Sequence, residues 1–441
     1  MKRVSNGLLG LLLVVGVGSS TACEPPPSPP SQPLSLTQVI DRALCNDAGS
    51  REAWASVRGQ SELVGVAMAP FLPTIAAQAG WSRYDGTASR TALTRPYPYQ
   101  QNSVGLSITY LLYDFGNRQA TLDQAQQLLE ALQFSHLATV QQLLYAAVQN
   151  YYQVLSRQAL IVSTQEAEQV SQRAVQAAQL RHQVGSGVLA DLLQARAAQA
   201  QAQLNRIRAE GDWQQSRGQL ATLMGLPVTI PFELVVPNDQ ADDPLRSAEA
   251  LAGAVEELIE QARRQRPDLA AAEANYRAAQ MAVDVAHSAD WPTVSLNLSG
   301  ERQESGSSRT LSNSVGVAVS VPIFSGFAPT HRSRHAMIQQ ETQQIRLQNL
   351  QQQIALEVWQ AWHQLRSATQ AVSASQELRQ QAQQSLQVAE GRYRAGAGQI
   401  LELLNAQNTL ASAQQQSVQA TYDWRMARVT LARAVGRLER P

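Results

Sequence analysis

The chain has 441 residues, 44% hydrophobic and 16% charged, and its 35 basic and 35 acidic side chains balance to a formal charge of zero. That balance excludes nucleic acid as a partner, since its phosphates call for a basic excess. Aromatics are only 5% of the residues, while Ala and Gln crowd most of the sequence, so the large apolar cores of a string of compact domains are not the expected architecture.

Lys2 and Arg3 precede the apolar run Leu8 to Gly18, and small residues lead on to Ala22. This pattern is a secretory signal over residues 1–22, too short to be a spanning helix. The following "EPPPSPPSQP" (Glu24 to Pro33) reads as an extended, semi-rigid tether over residues 23–34. Cys23 is a candidate for lipid modification; ordinary cleavage after Ala22 and a disulfide to Cys45 are the competing readings. Beyond the signal no run approaches the ~20 apolar residues of a transmembrane helix, so any membrane insertion must use strands.

From there the chain is one unit written twice. Asn102-Ser103-Val104-Gly105 recurs as Asn313-Ser314-Val315-Gly316, Arg181 as Arg392, and Leu192-Leu193 as Leu403-Leu404, all at an offset of 211. Upstream, Pro73-Thr74 recurs as Pro292-Thr293 at 219, which places eight extra residues of the first copy in a loop between Gly80 and Asn102. The expected order is N-terminal helices (35–72), a β-hairpin (73–116), a long helical hairpin (117–224), an equatorial linker (225–247), helices (248–290), a second β-hairpin (291–327) and a second long helical hairpin (328–437).

Period-two alternation marks the strands. Val104, Leu106, Ile108, Tyr110 and Leu112 fall on one face, as do Val315, Val317, Val319 and Val321, with Gly, Ser, Thr and Ala between them. The apolar faces run about ten residues without a charge, the length of a tilted membrane strand. Val104, Leu106, Ile108, Val315, Val317 and Val319 are therefore the expected lipid-facing residues. Four strands leave two open edges, which a bilayer does not tolerate. A dimer would supply eight strands and little pore; a trimer supplies twelve and an open lumen. Asn117 to Val184 then contains no proline and no internal glycine, and as one helix these 68 residues would reach about 100 Å. Apolar positions at spacings of three and four, such as Leu137, Val140, Leu144, Ala147, Tyr151 and Leu155, form a seam for neighbouring helices, and Gln, Arg and Glu fill the other faces.

"LLYDFGNRQA" (Leu111 to Ala120), "VPIFSGF" (Val321 to Phe327), the paired breaks "VGSG" and "AGAG", and "ELLNAQNTLASAQ" (Glu402 to Gln414) together resemble the TolC outer-membrane efflux protein family over nearly all the mature chain. The resemblance implies an α+β membrane protein: four strands per protomer in a trimeric, twelve-stranded outer-membrane β-barrel, continued by a long α-helical coiled-coil barrel in the periplasm. It implies a homotrimer surrounded by outer-membrane lipid, working with a periplasmic adaptor and an inner-membrane pump of the resistance-nodulation-division or ABC type, with no catalysis and no cofactor. Acidic residues near the start of the returning helices line a periplasmic gate in that family, which points to Glu402 and Asp191. The tips, Arg181, Val184, Gly185 and Gly187 with Arg392, Ala395, Gly396 and Gly398, would be the adaptor-docking surface. Asn405 stands where a second gate acid is found, and the proline tract replaces the Gly-Pro-Asp-Tyr element of the lipoprotein branch. "RALCNDAGSREAWASVRGQSELVGVA" (Arg42 to Ala67) resembles a branch that includes type I secretion ducts. Small-molecule efflux is the leading cargo and protein or peptide secretion the alternative; the rival of another class is a periplasmic coiled-coil tether whose strands form a soluble sheet. No phosphate loop, nucleophile elbow or zinc signature is found, and His331 and His335, four apart, have no further ligand between them.

Overall fold

The structure is a computed structural model that describes residues 32–85, 99–236, 255–306 and 308–438. The signal, Cys23, most of the proline tract and residues 237–254 of the middle segment lie outside the described residues. In chain order the elements are α1 (Leu36–Asn46), α2 (Ala48–Met68), a 3-10 turn (Ala69–Phe71), β1 (Thr74–Tyr84), β2 (Tyr99–Tyr113), α3 (Asn117–Gln183), α4 (Leu189–Leu223), α5 (Val255–Gln265), α6 (Pro267–Ser288), β3 (Thr293–Ser305), β4 (Ser308–Ser320), α7 (Ala328–Arg394) and α8 (Ile400–Val435). No described helix is long and apolar enough to cross a membrane. Two compact units result: one from Gly49–Thr139 with Ile259–Glu357, the other from the described parts of Met1–Ala48, Val140–Leu258 and Val358–Pro441.

The first unit carries the sheet. Its four strands are antiparallel in the order β1-β2-β3-β4, so β1 and β4 are edges. The register aligns Ile75, Ile108, Leu298 and Val315 across one face, and Ala76, Ser107, Ser299 and Ser314 across the other. On the polar face the side chains bond along the rows: the Thr109 hydroxyl donates to Asn297 Oδ1 at 3.2 Å, and the Ser299 and Ser314 hydroxyls lie 2.7 Å apart. On the apolar face Val104, Leu106, Val315, Val317 and Val319 are more than half exposed and Ile108 is half-buried. Leu112 departs from the alternation. A bulge between Leu111 and Tyr113 leaves it unpaired and hands the apolar row on to Tyr113, opposite Val294. Val321 lies just past the end of β4. The second hairpin is also tighter than a loop-joined pair, because Ser305 pairs Ser308 and only residues 306–307 connect β3 to β4.

Where strand passes to helix, both copies use two consecutive left-handed residues: Phe115 (φ 52°) and Gly116 (φ 92°), then Gly326 (φ 64°) and Phe327 (φ 60°). A phenylalanine there costs about 1–2 kcal/mol of backbone strain. Aromatic packing offsets it, with Phe115 5.1 Å from Trp291 and 4.6 Å from Tyr113, and Phe324 5.6 Å from Phe327 between ring centroids. In the first copy the junction is also pinned electrostatically. Buried Asp114 accepts from the Arg118 backbone N–H at 2.8 Å and pairs with its guanidinium at 3.1 Å, while Arg118 Nη1 donates to the Leu111 carbonyl at 2.8 Å. Asn117 Nδ2 donates to Val285 O and Ser288 Oγ, tying the start of α3 to α6.

In the other unit, Ser35 and Gln38 form a capping box that starts α1. Leu34 makes a parallel bridge with Leu234 and joins Val39, Tyr151, Val154, Leu155, Leu220 and Phe232 in one core. A side chain buried in this way stabilises by about 2 kcal/mol. The seam of α3 is buried at Leu144, Ala147, Tyr151 and Leu155, and that of α7 at Ile354, Val358, Ala361 and Leu365; Leu137, in the sheet-bearing unit, is half exposed instead. Tyr151 is 1% exposed and donates its hydroxyl to the Val235 carbonyl. Burial first, then neighbouring Tyr152 and Tyr422, push its phenol up to about 12, against a smaller opposing effect of Arg425.

Replacing Asp114 by Asn should leave the Arg118 charge unpaired and cost about 3 kcal/mol in thermal unfolding. Asp114→Asn with Arg118→Gln should cost less than the sum of the single changes, as a double-mutant cycle would show. Because the Tyr151 phenol titrates near 10 when unfolded and near 12 when folded, its stabilisation should be complete below pH 10 and fall as pH rises from there toward about 12. Denaturant unfolding measured across that range should show the fall, and Tyr151→Phe, at a cost of about 1 kcal/mol at neutral pH, should flatten it.

Candidate functional site

The helix-hairpin tips gather most of the residues singled out in the sequence. Both are built by the same hydrogen bonds. In the first, Gly185 N–H donates to His182 O at 3.1 Å, and Ser186 and Gly187 N–H both donate to Arg181 O at 2.9 Å. In the second, Gly396 donates to Tyr393 O at 3.1 Å, and Ala397 and Gly398 donate to Arg392 O at 2.9 and 3.0 Å. These bonds satisfy the last carbonyls of α3 and α7, which end with glycine left-handed, φ 78° at Gly185 and 75° at Gly396. The second glycine of each pair has a different reason. A Cβ at Gly187 would lie 3.0 Å from Arg181 Cβ, and one at Gly398 would lie 3.1 Å from Tyr393 N. One glycine of each motif supplies a dihedral angle and the other supplies room.

Chain reversal sets Asp191 and Glu402 at equivalent places in the first turns of α4 and α8. There a carboxylate opposes the positive end of the helix dipole. Their surroundings nevertheless differ. Glu402 accepts from Arg392 Nη1 at 2.8 Å, a half-exposed ion pair within one hairpin. Arg181, the counterpart of Arg392, reaches across to the other hairpin: its guanidinium lies 4.6 Å from the Tyr393 ring centroid and donates to the Tyr393 carbonyl at 3.2 Å. Tyr393 is 2% exposed. Burial raises its phenol above the ordinary tyrosine value; Arg181 pulls the other way and Asp191 adds to the rise.

Beneath the tips, Ala174 and Ala178 of α3, Leu192 and Ala195 of α4, Leu386 and Ala389 of α7 and Ile400, Leu403 and Leu404 of α8 form one core with Tyr393. Small alanines at these contacts let the helices approach closely. The two tips expose different chemistry. Around the first, Leu180, Val184, Val188, Leu189 and Leu193 are all more than half exposed, whereas the second exposes Arg392, Ala395 and Gly396, keeps Ile400 buried, and has only Val388 and Leu401 as large apolar side chains more than half exposed. Sequence reasoning passed over Tyr393 and the leucines beside Val184. The signal available for Tyr393 was a phenol ring inside the motif, where the first copy has His182.

A β-hairpin followed by a long helical hairpin, the whole written twice in one chain, has clear relatives. The family model described as outer membrane efflux protein matches residues 39–226 and 258–437. The chain belongs to the outer membrane efflux protein family. It is 31% identical to Protein CyaE of Bordetella pertussis over 94% of this chain and 87% of that one. With the pyoverdine export outer membrane protein OpmQ of Pseudomonas aeruginosa it shares 29% identity over 91% and 85%. Among solved structures the outer-membrane channel OprN superposes with a TM-score of 0.80 at 21% identity, covering 92% of this chain and 91% of that one. As an outer membrane efflux protein the chain resides in the outer membrane with its helical part in the periplasm.

The left-handed angle at Gly185 and the open helical position of Gly391 give the same substitution opposite signs. Gly185→Ala should cost about 1 kcal/mol from its positive φ alone. At Gly391, inside α7 with nothing within 4 Å of the new methyl, the same change should stabilise by about 1 kcal/mol. Thermal unfolding of the two variants, side by side, checks both signs.

Proposed function

We propose that the protein is the outer-membrane exit duct of a tripartite export system, passing small molecules received from an inner-membrane pump through a periplasmic adaptor. The observation that carries this reading is the two-faced sheet, apolar across all four strands on one side and lined by Thr, Ser and Asn on the other. Such a sheet with open edges suits a trimer in which three copies close a barrel, the apolar side toward lipid and the hydroxyl side toward water. In this reading Val104, Leu106, Ile108, Val315, Val317 and Val319 meet lipid. Export of a small molecule is supported by the relative OpmQ, whose name gives pyoverdine as its cargo.

The duct does no chemistry; its contribution is a pore and a gate. Glu402 and Asp191 stand at the gate, and the cross-hairpin contact of Arg181 with Tyr393 holds the two hairpins of one protomer together in the closed state. Opening parts the hairpins and breaks that contact. The exposed apolar cluster around Val184, with the small-residue tip at Ala395, Gly396 and Gly398, is where the adaptor docks. Burying those side chains under a partner is favourable, and the glycines leave room for its backbone.

Planar-bilayer recording tests this. The purified protein should be a heat-modifiable trimer that conducts ions, and a monomeric, non-conducting protein contradicts the proposal. Arg181→Ala removes a cation–π contact and a hydrogen bond worth about 1–2 kcal/mol together, and should raise the open fraction roughly tenfold. An unchanged open fraction would place the gate elsewhere.

A further inference from the structure

At the turn end of the second β-hairpin, the apolar face of the sheet stops being apolar. The register puts Arg302 opposite Val104 and Leu311, and Glu304 opposite Asn102 and Arg309, so Arg302, Glu304 and Arg309 share the side that carries Leu298 and Val315. Trp81 ends the same row on β1, opposite Asn102, and is 66% exposed. Both guanidiniums converge on one oxygen, Glu304 Oε1: Arg302 through Nε at 3.1 Å and Nη2 at 2.6 Å, Arg309 through Nε and Nη2, both at 2.8 Å. Two positive charges against one negative leave a net charge of +1, and the arginine side chains are 50% and 65% exposed. The Nη1 group of each guanidinium has no partner among the described residues.

We propose that Arg302 and Arg309 bind the phosphomonoester headgroup of an outer-membrane lipid, at the border of the apolar band marked by Trp81. The inference rests on the apolar face meeting lipid. Charge decides the occupant: two arginine forks tied to one carboxylate keep spare N–H donors in the planar geometry that phosphate oxygens accept. A tryptophan at the same level of the sheet, on β1, suits the interface, where its ring sits at headgroup level. Glu304 holds the pair preformed through Nε and Nη2 and leaves Nη1 of each to the lipid, while its negative charge offsets part of the attraction.

The test uses the full-length trimer in phosphatidylcholine vesicles, plain or doped with either diphosphoryl lipid A or its dephosphorylated form, and follows the half-life of the trimer at fixed temperature. Diphosphoryl lipid A should lengthen that half-life about tenfold and the dephosphorylated form should not. Arg302→Gln with Arg309→Gln should abolish the effect while leaving the half-life in plain vesicles unchanged. Glu304→Gln, which frees both guanidiniums, should enlarge it. An equal effect of the two lipids, or its survival in the arginine variant, overturns the proposal. So does an arginine variant that already dissociates faster in plain vesicles, which would make these residues subunit contacts. A wild-type protein that fails to insert into any vesicle overturns the barrel reading itself, and is told apart because no lipid comparison then exists.

Discussion

Everything in the sheet-bearing unit follows from two rows of unpaired backbone groups, the outer edges of β1 and β4. In water such edges are tolerable; in hydrocarbon each unmet N–H or C=O costs several kcal/mol. A four-stranded sheet with an apolar face therefore has no stable existence in a bilayer as a single chain, and the edges dictate assembly before any subunit contact between helices is considered. In the proposed barrel, an apolar face shared by every strand and a hydroxyl-bearing face shared by every strand sort lipid from water with no further rearrangement. The strand-to-helix junctions inherit the demand, because a barrel wall must turn into a helix within two residues, and both copies accept strained, left-handed backbone to do it.

Duplication supplied two hairpins from one gene but did not leave them equivalent. At the tips the backbone hydrogen bonds match one for one, while Arg392 stays within its own hairpin and Arg181 crosses to the other. The first junction is held by Asp114 and Arg118; Ser325 and Pro329 stand at those places in the second copy and can form no ion pair. The invariant part is the turn geometry, and the specialised part is the charge around it.

Much of this was legible in the letters. Alternation over Val104 to Tyr110 and over Val315 to Val319 marked the faces, and uninterrupted helix from Asn117 followed from the absence of proline and glycine. The bulge at Leu112 was not, because an inserted residue in a strand has no composition signal where Leu, Leu and Tyr all suit the apolar face. Nor was the half-exposure of Leu137: a seam written at helical spacing says which side is apolar, not where along 67 residues a partner lies against it. At the tips, "VGSG" and "AGAG" announced a chain reversal, but only coordinates separate the glycine needed for its φ from the glycine needed for its emptiness. Tyr393 was hidden for a related reason. Its contact with Arg181 joins residues 212 apart in the chain, and no local pattern encodes it.

The junction pairs Phe115-Gly116 and Gly326-Phe327 have one more implication. Aligned by the 211-residue offset, they set phenylalanine against glycine at both positions, and a comparison of letters scores two mismatches where the backbone has two matches. What the ancestral unit handed down there is a pair of dihedral signs, with each copy free to choose which of the two places bears the aromatic ring. Inheritance at this point is written in torsion angles, and a substitution table that knows only residue identity would discard it as noise.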